Sequence, residues 1–180
     1  AAIAGLCIYR YSIYHEYTDY QVVWEKDFTV EDTEGVTKGE GNFNGYVDFA
    51  DGILKYTKDG VSYLDAQGKV VWNQSYEMKS PIISVNGEFA AVADQQGTSI
   101  YICDKSGNQG KATSLLPIMR VAVSAKGVVA ALSEDSKASY INMFHKDGSD
   151  LKISVKSLLS KDGYPVDISL SPKDRKSTRL

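Results

Sequence analysis

The chain is short of the residues that most enzymes use for chemistry. Among 180 residues there are two cysteines, Cys7 and Cys103, and two histidines, His15 and His145. A zinc site takes three or four ligands at usable spacing, which this set does not supply. Nor do two thiols 96 positions apart make a redox pair or a disulfide framework. Both read as small apolar fillers. A Gly-x-Ser-x-Gly elbow and a phosphate-binding loop are both missing, and Gly39-Glu40-Gly41 is too short to cradle a phosphate. A net charge of −3 gives no one-signed field that would attract nucleic acid. No catalytic, cofactor-binding or metal-binding residue is assigned on these grounds, and no cofactor is expected.

What is present suits a β protein. The chain is 43% hydrophobic and 24% charged, ordinary for a globular domain with a real core. Twelve tyrosines suit sheet surfaces, and fifteen glycines suit many short strands joined by turns. After residue 20 no stretch of useful length has a helical period, and Lys156 to Ser160 is at most one helical turn.

A unit of four strands repeats. Gly52, Gly87 and Gly127 each sit in a turn between two strands, 35 and 40 residues apart. After them Leu54-Lys55-Tyr56-Thr57-Lys58-Asp59, Phe89-Ala90-Ala91-Val92-Ala93-Asp94 and Val129-Ala130-Ala131-Leu132-Ser133-Glu134 align, each a strand ending in an acid. Before them Ile82-Ile83-Ser84 matches Ala122-Val123-Ser124, and Ser169-Leu170-Ser171 opens a fourth unit. Third strands recur at Ser62-Tyr63-Leu64-Asp65, Ser99-Ile100-Tyr101-Ile102 and residues 140–144. Fourth strands recur at Val70-Val71-Trp72, Ala112-Thr113-Ser114-Leu115 and Lys152-Ile153-Ser154-Val155. Asn86-Gly87, Asp59-Gly60 and Asp147-Gly148 have hairpin chemistry. Four strands repeating as a unit predict an all-β chain, a β-propeller of four-stranded antiparallel blades, not a sandwich. The predicted blades are 43–78, 79–117 and 118–163, with the start of a fourth at 164–174, within a propeller region 43–180. About three and a half blades cannot close a ring of ~4 to 8. The chain is therefore expected to be the N-terminal half of a longer protein or, alternatively, an open curved array that shields its last edge by other means.

Two segments precede the blades. Residues 1–20 begin with nine uncharged, mostly apolar residues followed by Arg10 and a collar of tyrosines. A bilayer span takes roughly 20 apolar residues, but apolar residues running into a tyrosine-rich collar are what a helix shows on leaving the hydrocarbon. The expectation is the end of a transmembrane signal anchor plus a juxtamembrane segment, a short N-terminal helix placing the blades outside the cell membrane. The plainer alternative is an apolar helix docked on the domain. Residues 21–30 contain Val22-Val23-Trp24-Glu25-Lys26-Asp27-Phe28, which lines up with Val70-Val71-Trp72-Asn73-Gln74-Ser75-Tyr76. They read as an outer strand lent to the last blade to close the ring, which removes exposed sheet edges. Residues 31–45 read as loop.

The segment Leu64-Asp65-Ala66-Gln67-Gly68-Lys69-Val70-Val71-Trp72 resembles the tryptophan-docking signature of PQQ-like, quinoprotein-type β-propellers. In that family the tryptophan wedges between neighbouring blades. Here the usual Thr is absent, the turn is one residue shorter, and only this blade keeps the full form. Residues 1–174 also resemble a bacterial family of unknown function with one transmembrane helix and a PQQ-like propeller outside; the phrases at 72–78 and 91–107 carry that likeness. The resemblance implies fold and anchorage. Quinoprotein catalysis would need a complete eight-bladed ring, a calcium site and vicinal cysteines, and this chain has no adjacent cysteines.

The carboxylates Asp59, Asp94 and Glu134-Asp135, one position per blade, have two readings. They form a ring of cation ligands on one rim, or they accept turn N–H groups as Asp commonly does; the second is favoured. Trp72 reads as core. The functional expectation is a non-enzymatic, membrane-anchored extracytoplasmic propeller acting as a protein-interaction scaffold, with the membrane and another protein as partners. The alternatives are a propeller enzyme whose site lies in further blades, and a sensor of a small ligand or glycan.

Overall fold

The computed structural model describes residues 44–170. The expected anchor at 1–20 and closing strand at 21–30 lie outside the described residues. Twelve strands form three separate four-stranded antiparallel sheets, each with its strands in sequence order. The first contains β1 (Asn44–Phe49), β2 (Gly52–Thr57), β3 (Gly60–Leu64) and β4 (Val70–Ser75). The second contains β5 (Pro81–Asn86), β6 (Phe89–Asp94), β7 (Ser99–Asp104) and β8 (Gly107–Thr113). The third contains β9 (Ile118–Val123), β10 (Val129–Glu134), β11 (Ala138–Phe144) and β12 (Asp150–Leu158). One helical turn follows, α1 (Leu159–Asp162), and residues 163–170 contain no strand. Ser169-Leu170, expected to open a fourth sheet, are therefore not in a strand, and Ser171 lies outside the described residues.

The sheets stack face to face in chain order. Because side chains alternate along a strand, each sheet has two faces, and the middle one is buried on both. Ala90, Val92 and Cys103 pack with Phe49, Leu54, Val61 and Tyr63 of the first sheet. Ala91, Ala93, Ile100 and Ile102 pack with Ile118, Val123, Val129, Ala131 and Phe144 of the third. The alanines of β6 let neighbouring sheets approach closely. First strands lie together, β1 against β5 and β5 against β9, while the fourth strands β4 and β8 touch farther out. Wedge-like sheets whose first strands gather on one side are the arrangement of a β-propeller. The chain forms three consecutive blades of one.

The corners between first and second strands carry a correction. Gly87 and Gly127 take left-handed backbone there (φ +63° and +79°). In the first blade Ala50 does so instead (φ +55°), and Gly52 opens β2 because a Cβ would strike the Leu64 carbonyl oxygen. The first two corners join strands across two residues, pairing Phe49 with Gly52 and Asn86 with Phe89. The third is longer: Val123 pairs with Val129, and the Ser124 N–H donor is taken up by the Val128 carbonyl at 2.8 Å. Aligning Val129 with Phe89 therefore puts every side chain of β10 on the wrong face, since one residue of slip inverts a strand. By packing, Val129 and Ala131 stand where Ala90 and Val92 do, each pair facing the preceding blade.

Candidate functional site

The residues singled out by sequence do not converge on one place. His145 lies exposed in the turn between β11 and β12. Cys103 is buried in β7 against the first blade, and burial pushes its thiol up to about 12. Cys7 and His15 lie outside the described residues. Among the described residues no group of three His, Cys, Asp or Glu side chains is placed to hold a metal ion.

Of the acids at the strand ends, Asp94 and Asp135 are occupied by backbone N–H groups. Asp94 accepts the N–H groups of Lys79 and Ser80 at 3.0 and 2.9 Å, tying the link between blades to the end of β6. Asp135 accepts from Lys137 and Ala138 at 2.7 and 2.8 Å and from the Tyr140 hydroxyl at 3.1 Å. Those two backbone bonds, Lys137 first, hold its carboxyl below the usual range. At the corner holding Asp59, the Thr57 hydroxyl accepts the Asp59 and Gly60 N–H groups at 3.1 and 3.2 Å. Gly60 is needed there because a Cβ would come 2.7 Å from the Gln74 carbonyl oxygen, not for any left-handed backbone.

A second set of acids, on the opposite rim, follows a pattern that sequence reading missed. Asp65 caps Gln67 and Lys69 N–H groups, and Asp104 and Asp147 each accept from the N–H and hydroxyl of the serine two residues on. The signal was available as Asp65-x-Gln67, Asp104-x-Ser106 and Asp147-x-Ser149, the spacing of an Asx turn.

Two features of the rims were not anticipated. At the junction of the first two blades the Lys105 ammonium lies 3.6 Å from Asp51 and 3.2 Å from Glu88, and the Tyr63 hydroxyl donates to Asp51 at 2.5 Å. The Tyr63 bond, then Lys105, lowers the Asp51 carboxyl, while that bond and burial raise the Tyr63 phenol to about 12. The ion pairs are exposed and add little to stability; the group latches three turns together. On the other rim, the turn between β8 and β9 pushes Leu115 outward, 96% exposed. It is held there from inside: the buried Ser114 hydroxyl donates to the Leu116 carbonyl and lies 2.9 Å from the Ser133 hydroxyl.

Trp72 is half-buried instead of core. Its indole N–H donates to the Lys105 carbonyl at 3.0 Å, across the joint between the first two blades, and its ring leans on Tyr63 at 6.0 Å.

Topology and packing thus define a protein of the β-propeller class, with no assembled catalytic constellation among the described residues. The chain belongs to a family of unknown function (DUF5711), whose model matches residues 13–178. No curated protein matches it. It is similar to the Pan2 WD40 domain of Neurospora crassa, at 14% identity and a TM-score of 0.43, covering 62% of this chain and 35% of that one. It is also similar to a protein of unknown function from Bacteroides caccae, at 14% identity and a TM-score of 0.42, covering 65% and 47%. The chain therefore spans less than half the length of either. Among the described residues no helix is long and apolar enough to cross a membrane.

Proposed function

We propose that the chain is part of a membrane-anchored, extracytoplasmic propeller that acts as a protein-interaction scaffold. One observation carries the protein-contact half of this reading. Leu115 stands 96% exposed on a rim turn that Ser114 braces from below, so an apolar side chain is presented on a fixed base. An apolar side chain held out in water gains free energy when a partner buries it. Asp65, Asp104, Asp135 and Asp147 on the rims, by contrast, are committed to their own turns, which leaves contact as the better-supported use. The anchor rests on the apolar start and tyrosine collar of residues 1–20.

A photo-crosslinking amino acid placed at position 116, next to Leu115, tests both halves in cells producing the protein. The scaffold reading expects one discrete protein adduct, lost on Leu115→Asp introduced beside the crosslinker at Leu116. It also expects a chain that stays with membranes through a carbonate wash and is cut by protease added outside. Diffuse adducts insensitive to Leu115→Asp would remove the scaffold, and a wash-soluble chain would remove the anchor.

A further inference from the structure

The outer edge of β12 is closed at its two ends and open between them. The Leu159 N–H donates to the Lys137 carbonyl at 3.2 Å, which sets the phase of the ladder with β11. Antiparallel strands bond through alternate residues. Val155 and Ser157, opposite Ile141 and Ser139, therefore turn their N–H and C=O groups toward β11, whereas Ser154, Lys156 and Leu158 turn theirs outward. At one end of this outward row, Leu158 donates its N–H to the Asp162 carboxylate of α1 at 3.0 Å. At the other the strand bulges, and the left-handed Lys152 donates its N–H to Asp150 at 2.7 Å. Among the described residues nothing takes the outward N–H groups of Ser154 and Lys156.

The side chains along the open stretch sort by face, because they alternate. Ile153 and Val155, 47% and 45% exposed, lie on one side. Ser154 and Lys156 lie on the other, with the Lys156 ammonium 5.4 Å from the centre of the Tyr140 ring. The Lys152 ammonium is paired with Asp150 at 3.1 Å, so Lys156 is the cation that the open stretch presents. The outer strand of the first blade is not equivalent: there the Gln74 amide donates to the outward Ser75 carbonyl at 2.7 Å. Edges that resist pairing are bulged or charged along their length. In β12 the bulge is confined to residues 150–152, which leaves a regular run from 153 to 158.

We propose that β12 is a strand-addition site whose occupant is an extended segment of a partner protein that alternates apolar and acidic side chains. Such a segment pairs through its main chain and is selected by its side chains. Its carbonyl groups accept the Ser154 and Lys156 N–H groups, its apolar side chains lie beside Ile153 and Val155, and its carboxylates lie beside Lys156. Asp150 and Asp162 mark where the pairing starts and stops. Charge chooses this occupant over a second copy, since opposite charges on neighbouring strands attract and like charges repel. Self-pairing confined to the open stretch is centred on Val155 and brings both Lys156 cations to one face with no acid between them. The inference does not depend on the contact at Leu115 or on the anchor.

The probe is a short peptide alternating valine and glutamate, compared with one alternating valine and lysine, each titrated into the nitrogen-15-labelled full chain at neutral pH. The glutamate peptide is expected to bind at least about tenfold more tightly. At saturation the Ser154 and Lys156 amides should exchange with deuterium oxide at least about tenfold more slowly, while that of Asn73, turned outward on β4, keeps its rate. Ser154→Pro removes an outward donor and no bond to β11, so it should weaken binding at least about tenfold in an intact fold. Lys156→Glu should reverse the preference between the peptides, and it decides if Ser154→Pro fails to fold. Equal affinity for both peptides, unchanged exchange at Ser154 and Lys156, or undiminished binding by a folded Ser154→Pro chain would overturn the proposal. So would sedimentation of the chain alone as a dimer that Ser154→Pro dissociates, which would make a second copy the occupant.

Discussion

Cys103 illustrates how a residue with chemical potential is spent on packing. It lies buried between the first two blades, and burial, with a smaller push from Asp104, raises its thiol to about 12. The neutral thiol is therefore the folded form over the ordinary pH range, and its contribution to stability is fully present below the unfolded thiol value. That contribution is lost as pH rises toward about 12, because only the unfolded chain gains by ionising. In a Cys7→Ser chain, Ellman's reagent at pH 8 should titrate no thiol in the folded protein and one in urea, and the midpoint of urea unfolding should fall steadily above pH 9. A fast-reacting native thiol would contradict this burial. Sequence reading reached the right role for Cys103 from residue type alone, because a lone cysteine in an apolar strand has no partner to activate it. It missed the place of Trp72, since type says that an indole is buried but not that its N–H spans two blades. The Asp51, Glu88 and Lys105 latch was illegible for the same reason: three turns far apart in sequence meet only once the blades stack.

At the scale of elements, hairpin chemistry was legible and strand phase was not. Asn86-Gly87 and Asp147-Gly148 mark corners with left-handed glycines, as read. The third sheet slipped by one position because a longer corner at Ser124 to Val128 cannot be told from a short one by an alignment anchored on Gly127. Beyond Thr113 the expected strand ends, because the Ser114 hydroxyl takes the Leu116 N–H at 3.3 Å and turns the chain. Gly110 shows why the second blade has no tryptophan at the matching position. It pairs with Ile102 as Trp72 pairs with Tyr63, and a Cβ there would run into the Asp147 backbone. Gly110→Ala should therefore cost about 1–3 kcal/mol by overpacking, read as a lower urea midpoint at unchanged slope. An unchanged midpoint would mean that the turn at Asp147 yields freely.

For the molecule as a whole, among the described residues the second blade packs against both of the others, so protection should follow position in the row. The second sheet is covered on both faces, whereas Ile153 and Val155 on β12 remain about half exposed. Native-state hydrogen exchange should accordingly be slowest at the amides of β6 and β7 and fastest in β12, a gradient that a single cooperative unit would erase. The number of sheets and their order were legible because a four-strand period survives divergence of individual residues. Their faces were not, since packing partners depend on parity within each strand.

The contrast between Trp72 and Gly110 has a mechanical meaning. One fourth strand holds its neighbour's hairpin at arm's length with a ring, and the next lets that hairpin rest directly on its main chain. A single side chain thus acts as a shim between wedges. Trimming or adding one should tilt everything beyond it, much as a thicker spacer at one hinge swings a whole gate.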